Sequence, residues 1–206
     1  MDTTDTDNPV DTDMDNENSY PCRSLDWSSK RSLEAHDPET KALGVLGVGG
    51  IGRKIRVRSL GFEFSEAIYH NRSRLSLDFE RYAKYVSFEE LLANSDILSL
   101  SQPLNANTRH IINSEALMSK FNTARGAIID EEALVQALKS GKVSSVGLDV
   151  FEYEPKVHPE LLANENIALL PHVATHTVEI RRAMEADVIN IRAGLTTGKV
   201  KISYLN

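Results

Sequence analysis

The stretch ALGVLGVGGIGRKIRVRSLGF, residues 42–62, decides how this chain folds. A short apolar run that ends in glycines and leads into a basic segment reads as a buried strand, a tight turn and a helix, with Gly61 stopping the helix. Within it Gly47, Gly49 and Gly52 carry the spacing G-x-G-x-x-G. That spacing is a weak signal alone, and its place between a strand and a helix is what gives it meaning. Gly47 permits the sharp turn, Gly49 lets a pyrophosphate approach the backbone, and Gly52 lets the helix pack closely on the strand. Gly50 and Ile51 open the helix, whose free N–H groups and positive dipole end would face the phosphates.

Working outward, the pattern repeats. AIYHN (67–71), DILSL (96–100), VSSVGLDV (143–150) and NIALLP (166–171) read as strands. SFEELLANS (87–95) reads as a helix capped by Ser87 with Glu90 three residues on. NSEALMSK (113–120) reads as a helix starting at Ser114, and DEEALVQALKSG (130–141) as one capped by Asp130 and stopped by Gly141. Residues 177 to 195 place Ile180, Met184, Val188, Ile191 and Leu195 on one face of a long helix. Strands alternating with helices predict the α/β class, a doubly wound parallel sheet.

The end of the second strand bears on the nucleotide. An Asp or Glu about 20 residues past the glycines would bind ribose hydroxyls. IYHNRSRL (68–75) offers Asn71, Arg72, Ser73 and Arg74 and no acid. Guanidinium and hydroxyl groups suit a 2′-phosphate, which favours NADP(H), with NAD(H) as the alternative.

The bulk composition sets outer bounds. The chain has 206 residues and a net charge of -7, which argues against non-specific nucleic-acid binding. Cys22 is the single cysteine, so neither an internal disulfide nor a thiolate metal site is expected. No secretory signal and no apolar run of about 20 residues is present, which leads to the expectation of a soluble, cytoplasmic protein. Residues 1–24 carry seven acids and no Lys or Arg before Arg23, the composition of a disordered acidic tail. DTDMDN from Asp11 begins like a calcium loop, but Cys22 stands where the bidentate Glu is needed. No H-E-x-x-H, G-x-S-x-G or Walker lysine occurs.

GVLGVGGIGR (44–53), IYHNRSR (68–74), NTARGAIIDEEALVQAL (122–138), SGKVSSVGLDVFEYEP (140–155) and LLPHVATHTVE (169–179) together resemble the D-isomer-specific 2-hydroxyacid dehydrogenases. The branch they look most like includes glyoxylate and hydroxypyruvate reductases. The resemblance implies a Rossmann-type cofactor domain and hydride transfer between NADP(H) and a small 2-keto acid. It places a carboxylate anchor at Arg125, an acid–base group at His172 and its carboxylate partner at Glu154. It also implies cofactor contacts at Pro103, Thr108, Thr123, Ala124 and Asp149, the last near the nicotinamide, and a homodimer. A guanidinium can hold a carboxylate bidentately, and a His titrating near neutrality can give a proton and take it back.

The chain also departs from that pattern. The expected organisation is the tail at 1–24, a dinucleotide-binding domain at 25–190, and a segment at 191–206 that would return to a substrate lobe. That lobe precedes the glycine turn in the family, and with only about forty residues before Gly47 it is expected to be largely absent from this sequence. ALMSKF runs from a helix straight into NTARG, so residues of an inner strand are missing as well. A gap in a parallel sheet leaves backbone groups unpaired, at about 1–3 kcal/mol for each buried one. Either the sheet closes up or an irregular loop holds Arg125. A non-catalytic NADP(H)-binding module, like the C-terminal binding protein corepressors that resemble this family, is the competing expectation.

Overall fold

The first strand is the axis of the molecule. In the computed structural model, which describes residues 37–80, 83–116 and 126–197, β1 (Ala42–Leu46) is paired on both sides. Side chains are described for the last helix only up to residue 186 and at Val188. β2 (Glu66–His70) and β4 (Ile97–Leu100) flank β1 in parallel, with Gly44 opposite Ile68 on one side and Leu98 on the other. β3 (Lys84–Tyr85) extends the sheet beyond β2, giving the order β3-β2-β1-β4. Strands buried on both faces need near-continuous apolar sequence, and Leu43, Val45 and Leu46 of β1 are all buried.

α1 (Gly50–Ser59) makes the crossover from β1 to β2. It does not stop at Gly61 as the sequence reading has it. A 3-10 turn continues over Leu60–Phe62, and the left-handed stop is Glu63, at φ 54°. α2 (Leu77–Glu80) is a single turn before β3. α3 (Phe88–Asn94) has the expected capping box: Ser87 Oγ accepts from Glu90 N at 3.0 Å, and Glu90 returns a carboxylate oxygen to Ser87 N at 2.9 Å. At 113–116 the capping group is Asn113, whose Oδ1 accepts from Glu115 N and Ala116 N. The rest of that expected helix lies outside the described residues.

α4 (Glu131–Lys139) is capped by Asp130, which accepts from Ala133 N at 3.0 Å, and it ends at Gly141 with φ 72°. β5 (Gly147–Leu148) and β6 (Ala168–Leu169) form a separate two-stranded parallel sheet, with α5 (Pro159–Ala163) between them. Among the described residues no strand joins β4 to β5. A single parallel bridge, Ile112 to Ile129, stands in that interval. Ile112 N donates to Ile128 O at 3.2 Å and Asp130 N donates to Ile112 O at 2.9 Å, so the backbone there is partly satisfied.

One apolar core holds the two sheets together. Leu46, Leu98 and Leu100 of the first sheet share a cluster with Ile112, Ile128, Leu134, Leu148, Leu161 and Ile167. Full burial of each such side chain is worth about 1.5–3 kcal/mol, comparable with the cost of one unpaired buried backbone group, and the cluster holds many of them. α6 (Val178–Thr197) closes the described chain, and Val178, Ile180, Met184 and Val188 on it are exposed. Among the described residues no helix is long and apolar enough to cross a membrane.

Candidate cofactor and acid–base site

Gly47 leaves β1 at φ 88°, and a Cβ there would stand 2.6 Å from Gln102 N. That backbone is glycine's alone, and the clearance to the end of β4 removes any alternative residue. At Gly52 a Cβ would meet Gly47 O at 2.1 Å, so α1 rests directly on the turn that precedes it. Gly49 and Gly50 are different: a Cβ on either meets nothing within 4 Å. Gly49 is the N-cap of α1 with no side-chain cap, and the first helical bond runs from Arg53 N to Gly49 O at 3.1 Å. The N–H groups of Gly50, Ile51 and Gly52 therefore have no helical acceptor. Ile51 is exposed beside them. Ser101 Oγ and Gln102 Nε2, which follow β4 against Gly47, are buried without a partner. Open space, unspent donors and a helix N-terminus fit the pyrophosphate of a dinucleotide.

The end of β2 holds the residues that the sequence alone assigns to nucleotide discrimination. Asn71 O accepts from Tyr85 Oη at 3.4 Å, which ties the loop to β3. Arg72 and Ser73 are exposed. Arg74 is paired with Glu80: Nε donates to Oε1 at 2.6 Å and Nη2 to Oε2 at 2.9 Å. Pro103 and Thr108 close a short loop after β4, where Thr108 Oγ1 donates to Pro103 O at 2.8 Å and accepts from Asn105 N at 2.8 Å.

His172 and Glu154 meet. Glu154 Oε2 lies 2.9 Å from His172 Nδ1, and Glu154 Oε1 accepts from Phe151 N at 2.9 Å. Both carboxylate oxygens are thus directed, one by the backbone and one by the ring. With Nδ1 donating to the carboxylate, Nε2 is the nitrogen left to face solvent, and the His172 side chain is 49% exposed. His172 sits at φ 54°, an uncommon backbone for a residue with a side chain and one found where structure over-determines it. The determinant here is Asp149. Its Oδ1 accepts from Val173 N at 2.8 Å and its Oδ2 from Ala174 N at 3.0 Å. Asp149 holds the turn that presents His172, a role the sequence reading did not assign it. Arg125, Thr123 and Ala124 lie outside the described residues. Gly126, which follows Arg125, is described, and a Cβ on it would stand 2.0 Å from Phe151 C and O. The backbone of that glycine therefore lies against the segment that carries Glu154.

Behind this pair is a network absent from the sequence reading. Glu152, whose side chain is 4% exposed, accepts from Arg109 Nη2 at 2.5 Å and contacts His110 Nε2 at 2.8 Å. Glu152 N donates to Glu131 Oε1 at 2.5 Å. Burial pushes the Glu131 carboxyl above the usual carboxylate range, the backbone bond from Glu152 opposes it, and the Glu152 charge pushes it further up. Residues 21 to 43 positions apart meet here, so no local signal could have found the cluster.

A family model described as "D-isomer specific 2-hydroxyacid dehydrogenase, NAD binding domain" matches residues 15–174. The chain belongs to that family. Glyoxylate reductase 1 of Saccharomyces cerevisiae is 50% identical over 172 residues, covering 80% of this chain and 49% of the yeast protein. The crystal structure of a glyoxylate reductase from Paecilomyes thermophila superposes with TM-score 0.78 at 50% identity, over 84% of this chain and 54% of that one. An NADPH-dependent glyoxylate/hydroxypyruvate reductase from Sinorhizobium meliloti, solved with NADP and malonate, has TM-score 0.72 at 33% identity, over 78% of this chain and 52% of that one. This member of the 2-hydroxyacid dehydrogenases thus spans about half the length of the curated relatives it matches.

Proposed function

We propose that this chain binds NADP(H) at the glycine turn and takes part in hydride transfer between that cofactor and a small 2-keto acid such as glyoxylate or hydroxypyruvate. The observation that carries the proposal is the His172–Glu154 pair, 2.9 Å apart and presented by the Asp149-bound turn. When bound, the nicotinamide supplies the hydride. The chain does the rest. The amides after Gly49 hold the pyrophosphate, and Arg72 and Ser73 face the 2′ position of the adenosine ribose. His172 Nε2 gives a proton to the substrate carbonyl oxygen as it becomes a hydroxyl, and takes one back in the reverse direction. Glu154 on Nδ1 fixes the plane of the ring and leaves Nε2 to face the substrate. Arg125, assigned on sequence alone, would anchor the substrate carboxylate in a bidentate grip. NADP(H) is favoured over NAD(H) by the exposed Arg72 and the absence of an acid within 68–75, and the NADP complex of the S. meliloti relative supports the same choice.

A second reading has an observation of its own. Among the described residues a single bridge, Ile112 to Ile129, stands between β4 and β5, ahead of the sequence position of Arg125. Catalytic geometry tolerates errors of only about 1 Å, so a chain that binds cofactor without turning over substrate is the competing outcome. NADPH oxidation by the whole chain with glyoxylate or hydroxypyruvate decides between them. Turnover that falls at least about 100-fold in His172→Ala with NADPH affinity unchanged supports the reductase. NADPH binding with no turnover in the wild-type chain supports the binding module.

A further inference from the structure

The end of β2 has no acid in sequence, but the fold brings one there. Glu80, the last residue of α2, turns back to the strand: Oε1 accepts from Tyr69 Oη at 2.7 Å and from Arg74 Nε at 2.6 Å, and Oε2 accepts from Arg74 Nη2 at 2.9 Å. Tyr69 Oη in turn accepts from Leu75 N at 3.1 Å, so strand, loop and helix are tied at one point. The Glu80 side chain is 11% exposed, whereas that of Arg74 is 63% exposed. Arg74 first, and Tyr69 second, hold the Glu80 carboxyl down to about 2, so it is fully charged at neutral pH.

A guanidinium recognises a phosphate or carboxylate best through two parallel N–H bonds. Arg74 has committed its Nε–Nη2 edge to Glu80. Arg72, two residues away, is exposed and makes no hydrogen bond or ion pair among the described residues. On the other side Arg56 is 4% exposed with Nε and Nη1 unpartnered, and its charge also acts on Glu80. A phosphate dianion brought to Arg74 would therefore meet the Glu80 charge at almost the same place, and the two contributions oppose each other.

We infer that Glu80 sets the discrimination between 2′-phosphate and 2′-hydroxyl dinucleotides by neutralising Arg74, leaving Arg72 as the uncommitted guanidinium of the 71–75 loop. This inference rests on the reading that the glycine turn holds a dinucleotide. Its consequence is a chain whose preference for NADPH is held below what its two arginines could deliver.

The test titrates NADPH and NADH separately into the whole chain by calorimetry, using wild type, E80Q, R74A and the double variant. E80Q keeps an acceptor for Tyr69 Oη and removes only the charge. NADPH binding is expected to tighten about five- to tenfold in E80Q, with NADH within about twofold, the size of one freed charge-assisted contact near the surface. R74A alone uncovers the Glu80 charge and should weaken NADPH about five- to tenfold, whereas the double variant should return to within about twofold of wild type, since the removed pair is neutral as a unit. Weaker NADPH binding in E80Q, or an unchanged NADPH/NADH ratio, overturns the inference. If E80Q does not fold, R74A and the double variant decide: a double variant that binds NADPH as weakly as R74A overturns the inference, because Arg74 would then itself be serving the phosphate. Wild type that binds neither nucleotide refutes the cofactor reading instead.

Discussion

Substituting Gly49 by alanine separates a phosphate cradle from an ordinary glycine-rich turn. Gly49 has φ -78° and ψ -157°, a conformation open to any residue, and its added Cβ meets no protein atom within 4 Å. Alanine is a poorer N-cap than glycine, but it lowers the entropy of the unfolded chain by about 0.4–1 kcal/mol, and the two effects roughly cancel. Folding stability should therefore change by less than about 0.5 kcal/mol. Binding should not be spared. A phosphate accepting from the amides of Gly50 and Ile51 needs oxygens about 2.8–3.0 Å from those nitrogens, in the space a methyl group would fill. Displacing it weakens two or three charge-assisted bonds, each worth about 1.5–3 kcal/mol when fully formed. A partial loss of about 2 kcal/mol corresponds to a Kd about 30-fold higher, equally for NADPH and NADH because the pyrophosphate is common to both. Gly52→Ala is the contrast. Its Cβ would stand 2.1 Å from Gly47 O, so α1 must move by more than 1 Å, and overpacking of that kind costs about 1–3 kcal/mol, or about 3–10 °C in Tm. Calorimetric titration with thermal unfolding of both variants gives the answer. A folded Gly49→Ala chain that binds NADPH as tightly as wild type would refute the cradle, whatever Gly52→Ala does to stability.

Other outcomes follow from the same geometry. Arg72→Ala should weaken NADPH by about tenfold and NADH by less than about twofold, measured by fluorescence titration, and equal losses would defeat the 2′-phosphate assignment. The Glu80 carboxyl is depressed in the folded chain, so the stability it contributes is present above pH 4.5 and is lost as pH falls toward about 2. Acid-unfolding curves of wild type and E80Q should therefore differ above pH 4.5 and converge near pH 2, and curves that stay parallel throughout would contradict the pairing. Glu131 has the opposite sign. Its carboxyl is raised by burial, so the folded chain holds that proton more tightly and stability falls as pH rises past 4.5. E131Q retains the acceptor for Glu152 N and should show a flatter stability profile above pH 4.5 in chemical denaturation.

What was legible in the sequence is what local chemistry controls. Glycines 47 and 52, the Ser87 and Asp130 caps and the alternation of strands and helices each depend on neighbours a few residues away, and the motif spacing was enough to reach the family. Misjudged ends have the same origin. Leu60–Phe62 continues as a 3-10 turn past Gly61 because packing, not the residue type, chose the stopping point, which moved to Glu63. Side-chain partnerships across the fold belong to the tertiary structure alone. Asp149 as the holder of the His172 turn, Glu80 on Arg74, and Glu152 between Arg109 and His110 join residues that share no periodicity or motif. The same is true of the two strand groups among the described residues, which a common apolar core holds together. Spacing along a chain specifies which backbone conformations are cheap. Which charges meet is decided only when the core has fixed the distances between elements, because pairing energies depend on ångströms that no sequence pattern encodes.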